Sequence, residues 1–122
     1  MVEWLLGLPR SGAVAGRLGA AGGLHAPHLL AVEVAQVVRR YVAAGQVPPA
    51  RGAAAVADLA DLDVALYPHE ALLPAVWRLR RNLTAYDAVY VALAEVLDAP
   101  LLTLDRRLAT AAGHDATIDL IR

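Results

Sequence analysis

The chain has 122 residues, a length that suits one domain with a single core and excludes several domains. Hydrophobic residues make up 58% of the sequence and charged residues 19%, which excludes a globally disordered chain. There is no cysteine, which excludes a disulfide scaffold and a thiolate zinc site and fits a reducing, cytoplasmic environment. The formal net charge is −1, so we expect any nucleic-acid contact to be local.

The first residues, MVEWLLGLPRSG, have no basic region before a long apolar stretch, so no signal peptide is predicted. No uninterrupted apolar run reaches the roughly eighteen residues that a membrane span needs. We therefore expect a soluble protein with no membrane partner.

Short apolar strands alternate with helices along the sequence. Helices are predicted over 2–8 and 11–21, then a brief strand over 24–26, a helix from His28 to Gly45, and a helix opened by Pro48 and Pro49. The second half predicts a strand over 64–67, helices over 70–81 and 86–97, a strand over 100–104, a helix over 106–112 and a strand over 116–121. The regular part of the helix over 70–81 is expected to begin at Pro74. This alternation is typical of an α/β protein whose parallel sheet is covered on both faces.

Hydrophobic periodicity indicates which helix faces are buried. In the helix that begins at His28, one face carries the apolar residues Leu30, Val34, Val37, Val38 and Tyr41. In the helix after Pro49, the residues expected to point inward are Val56, Leu59 and Leu62. The helix over 86–97 is apolar on nearly all sides, which predicts that it packs within the core.

Three carboxylates stand near strand ends and helix starts, where α/β proteins place functional groups. Glu33 lies on an apolar helix face, where a carboxylate is costly unless it is paired, ligated or protonated; a boundary glutamate bound to an arginine is the structural alternative. Asp87 follows Thr84 at the spacing of a capping box, and Asp105 follows a strand and precedes a helix, so both can act simply as caps. If the three converge, their mutual repulsion requires a divalent cation, and all-oxygen ligands favour Mg²⁺ or Mn²⁺ over zinc.

Other chemistries have less support. The only serine, Ser11, lacks a G-x-S-x-G context, and no P-loop or G-x-G-x-x-G motif follows a strand. The four histidines do not have the spacing of metal ligands.

Two consecutive segments carry a family resemblance. Residues 83–95, LTAYDAVYVALAE, followed by 101–108, LLTLDRRL, resemble the second half of PIN-domain ribonucleases, specifically the VapC toxins of bacterial toxin–antitoxin modules. Residues 25–34, HAPHLLAVEV, are similar to the segment that bears the family's glutamate. The resemblance covers the whole chain in the family's order. It implies one PIN-like domain over 1–122, a three-layer α/β/α sandwich with a central parallel sheet.

The resemblance also implies a site. Of the family's four acidic metal ligands, Glu33 matches the second, Asp87 the third and Asp105 the fourth, and Thr103 matches a polar residue that lines the site. The family's first strand and its terminal aspartate have no counterpart, since the sequence begins at about the position of the helix that follows them. We therefore expect weak Mg²⁺ binding by this form. The arginines expected nearest the RNA phosphates are Arg78, Arg80, Arg81, Arg106 and Arg107, although a solvated helix end explains such a run equally well.

The implied function is metal-dependent hydrolysis of RNA phosphodiester bonds, with one or two Mg²⁺ or Mn²⁺ ions as cofactor. The implied partners are RNA, a VapB-type antitoxin and a second copy of the chain. The alternatives are an inactive homologue that only binds an antitoxin or dimerises, and a truncated product that does not fold stably.

Overall fold

A computed structural model describes residues 23–103 and 105–121, which divide into two units at residues 65 and 66. The helices predicted over 2–8 and 11–21 lie outside the described residues, as does Leu104 at the end of a predicted strand.

The first unit contains strand β1 (Leu24–Pro27), helix α1 (Leu29–Ala43) and helix α2 (Pro49–Ala60), and the division falls within strand β2 (Val64–Tyr67). The second unit continues with a short 3₁₀ helix (Glu70–Leu72), helix α3 (Leu73–Arg78), helix α4 (Ala85–Leu97), strand β3 (Leu101–Thr103), helix α5 (Arg106–Ala109) and strand β4 (Ile118–Leu120).

The strands of the described residues form two-stranded sheets, one of β1 and β2 and one of β3 and β4. Strands β3 and β4 are parallel, with Leu101 opposite Ile118 and Thr103 opposite Leu120. Helix α5 lies in the connection between them, as a parallel pair requires a crossover. The α/β class predicted from the sequence is confirmed.

Helices α1 and α2 pack on a small apolar core in the first unit. Val34 and Val38, one helical turn apart on α1, are buried with Val47 and Ala55. Leu30 and Tyr41 are partly buried against the same cluster, which confirms the predicted inner face of α1 for these four residues but not for Val37.

The predicted inner face of α2 was partly wrong. Val56 exposes 40% of its surface, whereas Gly52 and Ala55 are buried. A Cβ at Gly52 would lie 2.7 Å from Cγ2 of Val42, so the missing side chain lets the two helices approach closely. The predicted inward Leu59 is partly buried against the same core, so the contact face of α2 combines this leucine with the small residues Gly52 and Ala55.

Helix α4 supplies most of the core of the second unit. Its Ala88 and Val91 have no exposed surface and cluster with Leu79 and Leu108. The buried residues of α4 lie on several sides of the helix, as its apolar composition predicted, and they are Ala88, Val89, Val91, Ala92, Leu93 and Ala94.

Several elements of the second unit are shorter than predicted. The helix expected over 70–81 is a 3₁₀ helix followed by α3, which has Pro74 in its first turn and ends at Arg78. The helix expected over 106–112 ends at Ala109. Across 23–103 and 105–121, no helix is long and apolar enough to cross a membrane.

Candidate functional site

Asp87 lies in the first turn of α4, and the helix is capped by Thr84. Thr84 Oγ1 accepts a hydrogen bond from the backbone N–H of Asp87 at 3.2 Å, which confirms the capping predicted from their spacing. The cap uses the Asp87 backbone and not its side chain. Within the described part of the chain, no group donates a hydrogen bond to the Asp87 carboxylate.

Asp87 immediately precedes a residue of the buried core. Asp87 itself is half-buried, and the next residue, Ala88, is fully buried in the core of the second unit. A negative charge in the first turn is favoured by the helix dipole, which helps to hold the carboxylate there without a protein partner. The side chain is therefore available to bind a cation or a hydrogen-bond donor of a ligand.

Asp105 is the N-cap of α5, as the structural alternative proposed. Its Oδ1 accepts a hydrogen bond from the backbone N–H of Arg107 at 2.9 Å. The guanidinium of Arg107 adds an ion pair, with Nη2 at 3.4 Å from Oδ2. The backbone hydrogen bond, reinforced by the Arg107 side chain, holds the pKa of the Asp105 carboxyl below its usual value, so the group is ionised at neutral pH.

Thr103 positions Asp105 through the backbone. The N–H of Asp105 donates to Thr103 Oγ1 at 3.0 Å, and the carbonyl of Thr103 accepts from the N–H of Ile121 at 2.8 Å. The Thr103 hydroxyl thus accepts a hydrogen bond from the backbone of Asp105, the residue whose carboxylate it was predicted to accompany. Its contact with substrate stays a prediction.

The starts of α4 and α5 share one core. Ala88, which follows Asp87, and Leu108, three residues after Asp105, belong to the same buried cluster. Strand β3 packs against both helices. The two aspartates therefore stand on elements that one core holds together in the second unit.

Arg78 is engaged within the fold. Its Nη2 donates to Glu95 Oε1 at 2.9 Å and to Oε2 at 3.2 Å, and its Nη1 donates to the carbonyl of Gly113 at 3.2 Å. Glu95 Oε2 also accepts from the N–H of Asp115 at 2.9 Å. Sequence reasoning missed Glu95, although a glutamate in a helix that is apolar on nearly all sides was a signal that it has a partner.

The other predicted basic residues lie at the surface. Arg81, after the end of α3, and Arg106, the first residue of α5, are both exposed. Arg80 stacks on an aromatic ring, with its Cζ 4.7 Å from the centroid of the Trp77 ring. All three guanidinium groups can therefore reach a ligand from solvent.

Glu33 is half-buried on α1, between the exposed Val32 and the buried Val34. It lies in the first unit, whereas Asp87 and Asp105 lie in the second. Residues 23–103 and 105–121 contain no group of three or more His, Cys, Asp or Glu side chains placed to hold a metal ion. The three-carboxylate metal site stays a prediction.

Comparison with known proteins adds to this geometry. The PIN domain family model matches residues 1–114. Ribonuclease VapC1 of Mycobacterium tuberculosis is 46% identical over 99 residues, which cover 80% of this chain and 74% of that protein. The VapC ribonuclease Mb0985 of Mycobacterium bovis is 39% identical over 105 residues, covering 86% and 83%. Ribonuclease VapC12 of Mycobacterium tuberculosis is 38% identical over 120 residues, covering 98% and 92%.

Proposed function

The chain belongs to the PIN-domain family, among the VapC ribonucleases, and from this membership we propose that it is a metal-dependent ribonuclease that hydrolyses RNA phosphodiester bonds. The relatives that carry the name ribonuclease match 80% or more of the chain at 38% identity or better. This coverage does not favour the alternative of an inactive homologue that only binds an antitoxin.

The observation that carries the proposal is the carboxylate of Asp87. Asp87 is half-buried, its helix is capped by Thr84, and no described residue donates a hydrogen bond to its carboxylate. A carboxylate to which no protein group donates keeps its oxygens available to a ligand. We propose that Asp87 binds a divalent cation, because a carboxylate oxygen is the donor that Mg²⁺ and Mn²⁺ prefer.

Asp105 is the second proposed ligand. Its lowered pKa keeps the carboxylate charged, as a metal ligand must be. Its ion pair with Arg107 competes with a cation, but the Arg107 side chain is 91% exposed and can move into solvent. Thr103 holds the backbone of Asp105 in place in either state.

Glu33 is proposed as the third ligand from the family resemblance, and its half-buried position on α1 suits a carboxylate with a partner. Bound to Asp87 and Asp105, Mg²⁺ would supply polarisation of the scissile phosphate and a lowered pKa for an attacking water. The exposed Arg81 and Arg106 are proposed to contact neighbouring phosphates of the substrate.

The test compares Asp87→Asn with Asp98→Asn. Asp98, at the other end of α4, has a left-handed backbone with φ 49°, which asparagine tolerates, so its variant removes the same charge from the same helix. Cleavage of RNA in Mg²⁺ or Mn²⁺ is expected to fall about 100-fold or more for Asp87→Asn and to stay unchanged for Asp98→Asn. Calorimetric titration with Mn²⁺ should show the matching loss of affinity.

Thermal melting provides the control for folding, because the Thr84 cap does not use the replaced carboxylate. Full cleavage by Asp87→Asn, or full activity of the parent chain in excess EDTA, would defeat the proposal. Glu33→Gln and Asp105→Asn are expected to give losses of the same kind.

We further propose that the chain forms one PIN-like domain over 1–122, acts in the cytoplasm, and pairs with a VapB-type antitoxin and with a second copy of itself. The relatives' VapC names support the antitoxin partner. Mass measurement at high concentration tests the homodimer, and added stability in the presence of the product of the adjacent gene tests the antitoxin. A strictly monomeric mass and no gain in stability would contradict both.

A further inference from the structure

Trp77 is an exposed aromatic side chain at the end of α3. It exposes 69% of its surface. The Arg80 guanidinium lies over its ring at 4.7 Å from the centroid and donates to the Trp77 carbonyl at 3.0 Å. The backbone N–H of Arg80 donates to the same carbonyl at 3.2 Å. The two side chains therefore form a fixed stack at the surface.

A single exposed apolar side chain is common and needs no explanation. This one differs, because a tethered cation lies against its ring and further arginines lie close to it in the sequence. Arg78, Arg80 and Arg81 lie within four consecutive positions, in a chain whose net charge is −1. The local charge is thus opposite in sign to the charge of the whole chain.

The contacts of these arginines show which charges are available to a ligand. Arg78 is neutralised by Glu95. Arg80 and Arg81 form no ion pair with a carboxylate in the described ranges. An exposed indole therefore carries the Arg80 cation on its ring, with Arg81 next in the chain, and no carboxylate among the described residues neutralises either arginine.

Indole and guanidinium side by side suit a ligand with flat aromatic groups and negative charges in alternation. Single-stranded RNA has this chemistry, since its bases stack on aromatic rings and its phosphates pair with arginines. A folded protein partner needs apolar surface more than it needs two free cations. Charge complementarity therefore favours RNA as the occupant.

We propose that Trp77 and Arg80 form a stacking platform for one base of single-stranded RNA, with Arg81 binding a neighbouring phosphate. The platform rests on the proposed ribonuclease function and adds to it a binding element outside the carboxylates. It gives affinity with little preference for sequence, because every base has a face that can stack.

The test measures binding of a labelled single-stranded RNA oligonucleotide by fluorescence anisotropy, in EDTA so that metal-dependent cleavage does not interfere. Trp77→Ala is expected to weaken binding about 5- to 100-fold, and Trp77→Phe to restore most of the affinity, because a phenyl ring still stacks. Val96→Ala is the matched control, since Val96 has 68% of its surface exposed but no aromatic ring. Its affinity should equal that of the parent chain.

An oligonucleotide without bases separates stacking from charge. The loss of affinity caused by Trp77→Ala should vanish on this abasic probe. Arg81→Gln should weaken binding to both probes and reduce the dependence of affinity on salt concentration by the amount expected for about one phosphate contact. Equal RNA affinity for Trp77→Ala and Val96→Ala overturns the platform. The platform is also overturned if Trp77→Ala leaves the RNA affinity unchanged but alters the oligomeric mass, because that result would assign Trp77 to a protein interface.

The platform and the proposed function fail separately. If RNA binding depends on Trp77 but the parent chain cleaves no RNA in Mg²⁺ or Mn²⁺, the platform is supported and the ribonuclease proposal fails. If the parent chain cleaves RNA but Trp77→Ala changes neither binding nor cleavage, the platform is overturned and the ribonuclease proposal stands.

Discussion

Removing Arg78 should destabilise the second unit through the carboxylate that it leaves behind. In Arg78→Ala, Glu95 loses the hydrogen bonds that Arg78 Nη2 donates at 2.9 Å and 3.2 Å and keeps the one from the N–H of Asp115. The Glu95 side chain is only 13% exposed, so water replaces the guanidinium poorly. The ion pair therefore matters mainly because its loss leaves a largely buried charge under-compensated.

The magnitude follows from the exposure of the two partners. Breaking a fully buried ion pair costs about 3–5 kcal/mol, and a fully exposed pair contributes about 0–1 kcal/mol. Arg78 is 50% exposed and Glu95 13%, which places the loss between these limits, at about 2 kcal/mol. For a chain of 122 residues, an unfolding entropy of about 0.26 kcal/mol/K converts this into a decrease of about 8 °C in Tm.

Urea denaturation of four proteins measures the effect: the parent chain, Arg78→Ala, Glu95→Ala and the double variant. We expect the double variant to lose less stability than the sum of the single variants, with a coupling energy of about 1–2 kcal/mol. Arg81→Ala, an exposed arginine without an ion pair in the described residues, is the control and should stay within about 0.5 kcal/mol of the parent. Equal stability of Arg78→Ala and Arg81→Ala, or additive single losses, would refute the reasoning.

Three further predictions test other parts of the structure. Gly52→Ala should lower the free energy of unfolding by about 1 kcal/mol. Overpacking by a Cβ 2.7 Å from Val42 Cγ2 costs about 1–3 kcal/mol, whereas the higher helix propensity of alanine contributes about 1 kcal/mol. A higher stability of the variant in urea would contradict the close approach of α1 and α2. Thr84→Ala should cost about 1 kcal/mol and Thr84→Ser much less, as judged by thermal melting, because only the alanine variant removes the cap of α4. The backbone hydrogen bond from Arg107 lowers the pKa of Asp105 in the folded chain, so the unfolded chain binds more protons in acid. The stability that this contact contributes is therefore present above pH 3.8 and declines as the pH falls through the folded pKa. Asp105→Asn should flatten that part of the pH profile in urea denaturation, and an identical acid profile for the two chains would count against the interaction.

Much of the local structure follows from the sequence because its causes lie within a few residues. The apolar spacing of α1, the proline start of α2 and the stop of β2 before Pro68 were all predicted and are confirmed. The Thr84 and Asp105 caps join groups three and two residues apart, so the residue types and their spacing suffice to identify them. The two consecutive segments that carry the family resemblance, 83–95 and 101–108, contain these caps.

Tertiary structure decided what depends on partners distant in sequence. Glu95 binds Arg78 and the N–H of Asp115, which lie 17 and 20 residues away, and no local pattern specifies such partners. The inner face of α2 is set by how closely α1 approaches at Gly52, where the absence of a side chain counts for more than the hydrophobicity of Val56. Whether Asp87 serves its cap or remains available to a ligand was likewise open in the sequence. The spacing predicted the cap, and the structure adds that it uses the Asp87 backbone and that no described residue donates to the carboxylate.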